Sequence, residues 1–200
     1  MGDTRERILQ TALELFAQKG YEAVSVSDIA GALGLTKGAL YRHFENKRAI
    51  LDSILRRMEA QDAQEARDHD LPEGTAETDA GAYEAATVAD IVAFSKAMFR
   101  YWTEDPFAAP FRRMLTVEQH QSPEMGRLYQ QYLAAGPLGY VADLFRALGI
   151  PDPDRRAAAF YGPMFLLYSV YDGAEDRAAV TALLDEYMDH AKRELEGEGE

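Results

Sequence analysis

The sequence predicts an all-α protein of about nine helices, three short ones in front and longer ones behind. Apolar residues recur at intervals of three and four along most of the 200-residue chain, which is the spacing of a helix face. Residues that cap or end helices separate these stretches, and no segment keeps the two-residue alternation of a strand. The hydrophobic share of 47% is close to the globular average, so we expect a sizeable buried core.

The first predicted helix runs from Arg5 to the residue before Gly20, behind a cap at Asp3 or Thr4. Glycine ends the pattern because it adopts the positive φ that closes many helices. The apolar stripe of this helix consists of Ile8, Leu9, Ala12, Leu13, Leu15 and Phe16.

Two short helices follow, separated by Gly34. Ser25 and Asp28 predict a capping box, in which the hydroxyl accepts a free backbone N–H and the carboxylate accepts the N–H of the cap residue. Gly34 permits a sharp turn without a Cβ clash. Thr36 then predicts the cap of a third helix that reaches from Lys37 to about Phe44.

The remaining helices are longer. Asn46 predicts the cap of a fourth helix that continues past Ala60, and residues 68–86 form a polar connection rich in turn residues. Cap residues and prolines delimit further helices at 88–102, about 107–120, 122–148 with a kink at Gly136-Pro137, 154–171 and about 174–195. We expect residues 196–200 to be disordered.

The charge of the chain is unevenly distributed. The net charge is -13, which by itself argues against a nucleic-acid partner. Residues 1–57, however, hold nine Lys/Arg and seven Asp/Glu, hence a net charge of +2, and the rest of the chain carries -15. Either the basic head alone faces DNA, or the acidic residues merely keep the body soluble.

The segment from Ser25 to Lys47 has the pattern of a helix-turn-helix. Ala30 provides a small residue where the first helix crosses the second, and Leu40 provides the apolar inner face of the second. The outer face of the second helix then presents Lys37 and Tyr41 at one i, i+4 spacing, and Gly38 and Arg42 at another.

A helix of this size fits the major groove of B-DNA. Lys37 and Arg42 have donors for guanine, Gly38 permits close approach, and Ala39 has a methyl for thymine contact. Donors for phosphate are Tyr41, His43 and Lys47. With the two caps, the predicted DNA-binding residues are Ser25, Thr36, Lys37, Gly38, Ala39, Tyr41, Arg42, His43 and Lys47.

Residues Thr4 to Leu55 resemble the DNA-binding head of the TetR/AcrR family of regulators. The resemblance covers about a quarter of the chain and rests on the order and spacing of Arg7-Ile8-Leu9, Ala12-Leu13-Glu14-Leu15-Phe16, Lys19-Gly20-Tyr21, Ile29-Ala30, Gly34-Leu35, Lys37-Gly38-Ala39-Leu40-Tyr41, His43-Phe44 and Asn46-Lys47.

The family resemblance implies a homodimeric regulator, usually a repressor, that joins through its last two helices and holds a small-molecule effector in each body. We therefore expect a helix-turn-helix domain at 1–47, a ligand-binding and dimerisation domain at 48–195, and a tail at 196–200. The implied partners are an operator in double-stranded DNA, the effector and a second copy of the chain.

Aromatic residues of the body are candidates for an apolar pocket with tyrosine hydroxyls as polar anchors, although each one could equally be ordinary core. A pocket of this kind favours a flat or hydrophobic effector. The candidates are Phe94, Met98, Tyr101, Trp102, Phe111, Met114, Tyr129, Tyr132, Phe165 and Tyr168.

The last two helices carry apolar stripes that pair with their twofold copies in a four-helix bundle, unless they only fill the core of one chain. The predicted interface residues are Tyr161, Met164, Leu183, Leu184, Tyr187 and Met188.

Other function classes find little support. The chain has no cysteine, no phosphate-binding glycine loop, no nucleophile motif and no His or carboxylate spacing of a metal site, so we expect neither enzyme activity nor a cofactor or metal. It has no run of about 18 apolar residues and no signal-peptide pattern, so we expect a cytoplasmic protein. The alternative function is a helical ligand- or partner-binding protein whose head does not bind DNA.

Overall fold

A computed structural model describes residues 2–69, 71–72 and 80–197, and every regular element in these ranges is an α-helix. The predicted all-α class is confirmed, with eleven helices in the described ranges where about nine were expected. They are α1 (Gly2–Lys19), α2 (Val26–Ala32), α3 (Lys37–Tyr41), α4 (Lys47–Asp68), α5 (Ala80–Ala85), α6 (Val88–Glu104), α7 (Ala108–Glu118), α8 (Pro123–Leu133), α9 (Ala135–Ala147), α10 (Pro153–Gly173) and α11 (Arg177–Glu196).

Local capping chemistry fixes the short helices as predicted. The hydroxyl of Ser25 accepts the backbone N–H of Asp28 at 3.1 Å, and the Asp28 carboxylate accepts the N–H of Ser25 at 2.8 Å. Thr36 caps α3 by accepting the N–H of Ala39 at 3.1 Å. These bonds satisfy backbone donors that have no partner within a helix.

Three boundaries differ from the predictions. Helix α1 begins at Gly2, so Asp3 and Thr4 lie inside it rather than capping it. Helix α3 ends at Tyr41, and Arg42 is its C-cap. The C-terminal helix reaches Glu196 and closes on Gly197 at φ 76°, whereas the other predicted tail residues, 198–200, lie outside the described ranges.

Two corrections concern longer segments. The predicted helix over 122–148 is two helices, α8 and α9, separated at Ala134. The predicted connection over 68–86 contains α5, which packs on α9 through Tyr83. Residues 70 and 73–79 of that connection lie outside the described ranges.

The first of two compact units consists of Met1–Gln61 and Pro106–Tyr129. Its core lies between α1, α2, α3, the first half of α4 and α7, and α1 packs along α7. The fully buried side chains include Ile8, Leu13, Phe16, Ile29, Leu40, Ile50, Leu51 and Phe111. The apolar stripes predicted for α1 to α4 thus fill one common core.

The second unit consists of Asp62–Asp105 and Gln130–Glu200. Helix α10 lies against α9, α11 and α6, and α6 also packs against α11. Ion pairs join α6 to α11, from Lys96 to Asp189 at 2.7 Å and from Arg100 to Asp185 at 2.5 Å. The predicted boundary between 47 and 48 stays a prediction. Within the described ranges no helix is both long and apolar enough to cross a membrane.

Candidate functional site

Helix α3 presents the face that the sequence predicts for DNA reading. Lys37, Gly38, Tyr41 and Arg42 are all exposed, whereas Leu40 is completely buried on the opposite side. Tyr41 keeps 43% of its surface exposed. Burial of Leu40 therefore anchors the helix and leaves four side-chain positions open on one face.

Lys37 and Tyr41 contact each other across one turn of α3. The Lys37 ammonium lies 5.8 Å from the centroid of the Tyr41 ring, within the range of a cation–π contact. This contact orders two flexible side chains on the exposed face. Ala39 and His43 are half-buried beside it.

The hydroxyls of Ser25 and Thr36 are already engaged in the caps of α2 and α3. The Ser25 hydroxyl also donates to the Asp28 carboxylate at 2.6 Å, so its proton is engaged as well. Hydrogen bonding from the Ser25 side chain, and then from its backbone, lowers the pKa of Asp28. Ser25 and Thr36 thus fix the two helices whether or not they also contact DNA.

Lys47, predicted as a phosphate donor, is held within the head. Its ammonium donates to the carbonyl oxygens of Tyr21 at 2.7 Å and Glu22 at 3.2 Å, and it lies 4.3 Å from the centroid of the Tyr21 ring. The Glu22 carboxylate lies 3.8 Å from the same ammonium, so an anion of the head itself already faces Lys47.

Arg5 supports the residues that follow α3, a role that the sequence did not predict. Its guanidinium lies 4.2 Å from the centroid of the Phe44 ring and donates to the carbonyl of His43 at 3.0 Å and to the hydroxyl of Ser53 at 3.2 Å. Arg5 therefore ties α1 to α4 and to the residues that follow α3. The partners are 38 and 48 residues away in sequence, so no local pattern reveals them.

The residues predicted to line a ligand pocket are divided between the two units. Phe111 and Met114 are fully buried and Tyr129 is half-buried in the first unit. In the second unit Phe94 and Met98 are half-buried, Phe165 is 40% exposed, and the buried members are Tyr101, Trp102, Tyr132 and Tyr168.

Ring contacts group some of these aromatic residues in the second unit. Trp102 meets Tyr132 edge-on at 6.3 Å and Tyr101 at 5.4 Å, and Tyr168 stacks on Phe99 at 5.3 Å. Phe165 lies on the outside of α10 in the single chain.

The predicted dimer-interface residues differ in how far the single chain buries them, and their place in an interface stays a prediction. Tyr161, Met164, Leu184 and Met188 are buried by the protomer itself. Leu183 is 54% exposed and Tyr187 is half-buried. Helical spacing revealed the apolar stripes but not which side of each stripe the chain covers. The large apolar side chains that α10 and α11 leave exposed are Phe165, Leu166, Val170 and Leu183.

Among the described residues, no three His, Cys, Asp or Glu side chains form a group that could hold a metal ion.

Comparisons with known proteins agree with this geometry. Residues 8–54 match the model of bacterial regulatory proteins of the tetR family. The HTH-type transcriptional repressor KstR2 of Rhodococcus jostii is 46% identical over 52 residues, which is 26% of either chain. The chain matches the first curated relatives over only 18% to 26% of their own length.

Solved structures extend the likeness over the whole fold. The TetR family transcriptional regulator PfmR from Thermus thermophilus is 26% identical, with a TM-score of 0.65 over 94% of this chain and 97% of that one. A complex of SmeT with triclosan has a TM-score of 0.66 at 19% identity, over 94% of this chain and 91% of SmeT. SmeT is the repressor of a multidrug efflux pump of Stenotrophomonas maltophilia.

The head sequence and the fold therefore agree: residues 8–54 match the DNA-binding domain of the tetR family, and the helical fold of the described residues is like those of solved TetR-family regulators.

Proposed function

We propose that this chain is a homodimeric transcriptional repressor that binds a palindromic operator through α3 and is released by a small, largely hydrophobic or aromatic effector. The observation that carries the proposal is the exposed face of α3, formed by Lys37, Gly38, Tyr41 and Arg42 on a helix capped by Thr36.

The chemistry of that face suits the major groove. Arg42 can donate to guanine O6 and N7 in the plane of the base, and Lys37 can donate as a point charge. Gly38 lets the helix backbone approach the bases, because it carries no side chain. A Cβ placed there has nothing within 4 Å in the free protein, so the fold itself does not require glycine. Tyr41 and His43 supply phosphate donors, which fix the helix in register.

The dimer part of the proposal rests on the exposed apolar side chains of α10 and α11. Phe165, Leu166, Val170 and Leu183 keep between 40% and 62% of their surface in water in the single chain. Burial of such side chains against a twofold copy removes apolar surface from water. A dimer with two heads matches an operator with two half-sites, about 34–36 Å apart or a larger helical multiple.

The effector part rests on the aromatic residues of the second unit, among which Tyr101, Trp102 and Tyr132 form a contiguous group. Aromatic walls with a few polar atoms favour flat or hydrophobic ligands. The SmeT–triclosan complex shows a member of the same fold with an aromatic compound. Because its partner is chromosomal DNA, we place the protein in the cytoplasm.

The decisive experiment is selection of genomic fragments by the purified protein at moderate salt, in parallel with Tyr41→Ala. The protein is first unfolded, washed and refolded, so that no small molecule retained from expression occupies the body. We expect one palindromic site from the parent protein and none from Tyr41→Ala, with equal helical content by circular dichroism. Unchanged operator affinity in Tyr41→Ala contradicts the assignment of α3.

A second variant, Arg42→Ala, measures how much one side chain contributes to sequence preference. Arg127→Ala is its control, because it removes an exposed arginine from α8. A base-reading arginine contributes about 1–3 kcal/mol of discrimination, so Arg42→Ala should relax the preference for one base pair. Arg127→Ala should leave sequence preference unchanged. Recovery of no site by the parent protein at any salt concentration supports the ligand-binding alternative instead.

A further inference from the structure

The backbone of Tyr21, in the turn between α1 and α2, is held from two sides by charged side chains. Its N–H donates to Oε1 of Glu118 on α7 at 3.0 Å, and its carbonyl accepts from Nζ of Lys47 on α4 at 2.7 Å. We call Gly20, Tyr21, Lys47 and Glu118 the Tyr21 joint. All four residues belong to the first unit.

The Glu118 side of the joint is a closely fitted contact. Glu118 is only 3% exposed, and a buried carboxylate is retained only where hydrogen bonds replace its water. Gly20 adopts a φ of 85°, and a Cβ there would lie 2.5 Å from Glu118 Oε1. The glycine is thus required both by its backbone conformation and by the approach of the carboxylate.

The Lys47 side fastens the same turn to the start of α4. The ammonium binds two successive carbonyls and the face of the Tyr21 ring, which itself packs edge-on against Phe16 at 5.0 Å. Burial raises the pKa of the Tyr21 hydroxyl, as expected for a ring enclosed by α1 and α4.

The joint lies one short turn before α2, which packs directly on α3. The direction of the chain at Tyr21 therefore sets where the capping box of Ser25 starts α2, and through α2 the orientation of the recognition helix. Charge-assisted bonds to both polar groups of one peptide residue restrain that direction more firmly than apolar contacts do.

We propose that Glu118 is a positioning residue for operator recognition, acting through the Tyr21 N–H to hold α2 and α3 in the orientation that fits DNA. The proposal rests on the proposed function, and no DNA contact by Glu118 itself is implied.

An electrostatic role and a positioning role of Glu118 predict opposite changes in operator affinity for Glu118→Ala. Removing a negative charge raises affinity for DNA if charge alone acts. Positioning predicts a loss of operator affinity, about tenfold, within the usual range of coupling between sites. Glu118→Gln keeps an acceptor for the Tyr21 N–H and should stay within about twofold of the parent protein.

Glu124→Ala is the matched control, because it removes the same charge from the exposed ion pair between α8 and Arg48. Affinities are compared at a temperature where circular dichroism shows all variants fully folded. We expect Glu124→Ala to bind like the parent or slightly tighter. The proposal is overturned if folded Glu118→Ala keeps parent affinity, or if Glu118→Gln loses as much as Glu118→Ala.

Amide hydrogen exchange at Tyr21, measured without DNA, separates this proposal from the proposed function. The Tyr21 amide should be protected in the parent protein and in Glu118→Gln, and should exchange faster in Glu118→Ala. An unprotected Tyr21 amide in the parent protein refutes the joint. Protection that depends on Glu118, in a protein that selects no DNA site, refutes operator binding while the joint itself stands.

Discussion

The hydroxyl of Tyr161 donates to the carbonyl oxygen of Leu133 at 2.8 Å in the interior of the second unit. This carbonyl would bond the N–H of residue 137 in a continuous helix, but residue 137 is proline and has none. Tyr161 on α10 therefore supplies the donor that Pro137 lacks. The bond accounts for how the chain ends α8 and begins α9 without leaving a buried acceptor unpaired.

Tyr161→Phe should destabilise the protein by about 1–2 kcal/mol, because it leaves the Leu133 carbonyl buried without a donor and removes no apolar packing. In a protein of this size such a change lowers Tm by roughly 2–4 °C per kcal/mol. Urea unfolding followed by circular dichroism measures it.

Tyr187→Phe is the matched control, since the Tyr187 hydroxyl donates to Ala159 O at 2.6 Å in an exposed setting where water can replace it. We expect a clearly smaller loss there. Equal losses in the two variants would mean that the α8–α9 break does not depend on Tyr161.

The same break shows what the sequence can and cannot predict about this fold. Gly136-Pro137 predicted an irregularity in this helix, and the chain does break close to these two residues. The helix actually ends one turn earlier, since a proline disrupts the bond to the carbonyl four residues before it. A Cβ at Gly136 would also lie 2.0 Å from the carbonyl oxygen of Gln131. Such a close backbone approach has no local signature.

Local chemistry predicted the capping and anchoring of α2 and α3 well. The capping box of Ser25 and Asp28, the cap at Thr36 and the buried Leu40 depend on residues a few positions apart, and all are confirmed. Glu118 and Arg5 act on partners 97 and 38 residues away, which spacing does not reveal. For the same reason, periodicity did not separate exposed Leu183 from buried Leu184.

Gly38→Ala should stabilise the free protein and weaken operator binding. A Cβ at Gly38 meets no atom within 4 Å, and alanine favours a helix over glycine by about 0.5–1 kcal/mol. If the α3 backbone lies against the bases, the added methyl displaces it. Urea unfolding measures the expected gain in stability, and operator titration of the same preparation measures the expected loss of affinity. Tighter or equal operator binding contradicts the close-approach role.

Gly20→Ala should act in the opposite way on stability. The φ of 85° costs a non-glycine residue about 1–2 kcal/mol, and the Cβ also displaces the Glu118 carboxylate from its position 2.5 Å away. The unfolding midpoint in urea should fall accordingly. A midpoint equal to that of the parent protein would show that the turn adopts another conformation in solution.

Acid should weaken the head through Asp28. Its pKa is lower in the folded protein than its usual value of about 3.9, chiefly because the Ser25 hydroxyl and backbone N–H donate to the carboxylate. The carboxylate therefore contributes stability that is complete above the unfolded pKa and is lost as the pH falls through the lower folded pKa. The stability difference between the parent protein and Asp28→Ala should shrink from about pH 5 downward. A difference independent of pH contradicts the capping role of the charge.

Leu166→Glu should convert the proposed dimer into folded monomers. Leu166 is the most exposed large apolar side chain of α10, at 62%, and lies beside exposed Phe165 and Val170. A carboxylate buried at a twofold axis has a like charge opposite it and loses its water, which opposes association strongly. In the single chain the same carboxylate stays in water, so the fold should be unaffected. Sedimentation velocity measures the mass, and circular dichroism checks the helices.

Val117→Glu on α7 is the matched control, because Val117 is 52% exposed and belongs to the first unit, whereas α10 belongs to the second. This variant should sediment as a dimer like the parent protein. Loss of the dimer should also reduce operator affinity at nanomolar protein. A single head contacts one half-site only, without a second, linked head that binds the other half-site at high effective concentration. A Leu166→Glu protein that stays dimeric would mean that the exposed face of α10 is not where two copies meet.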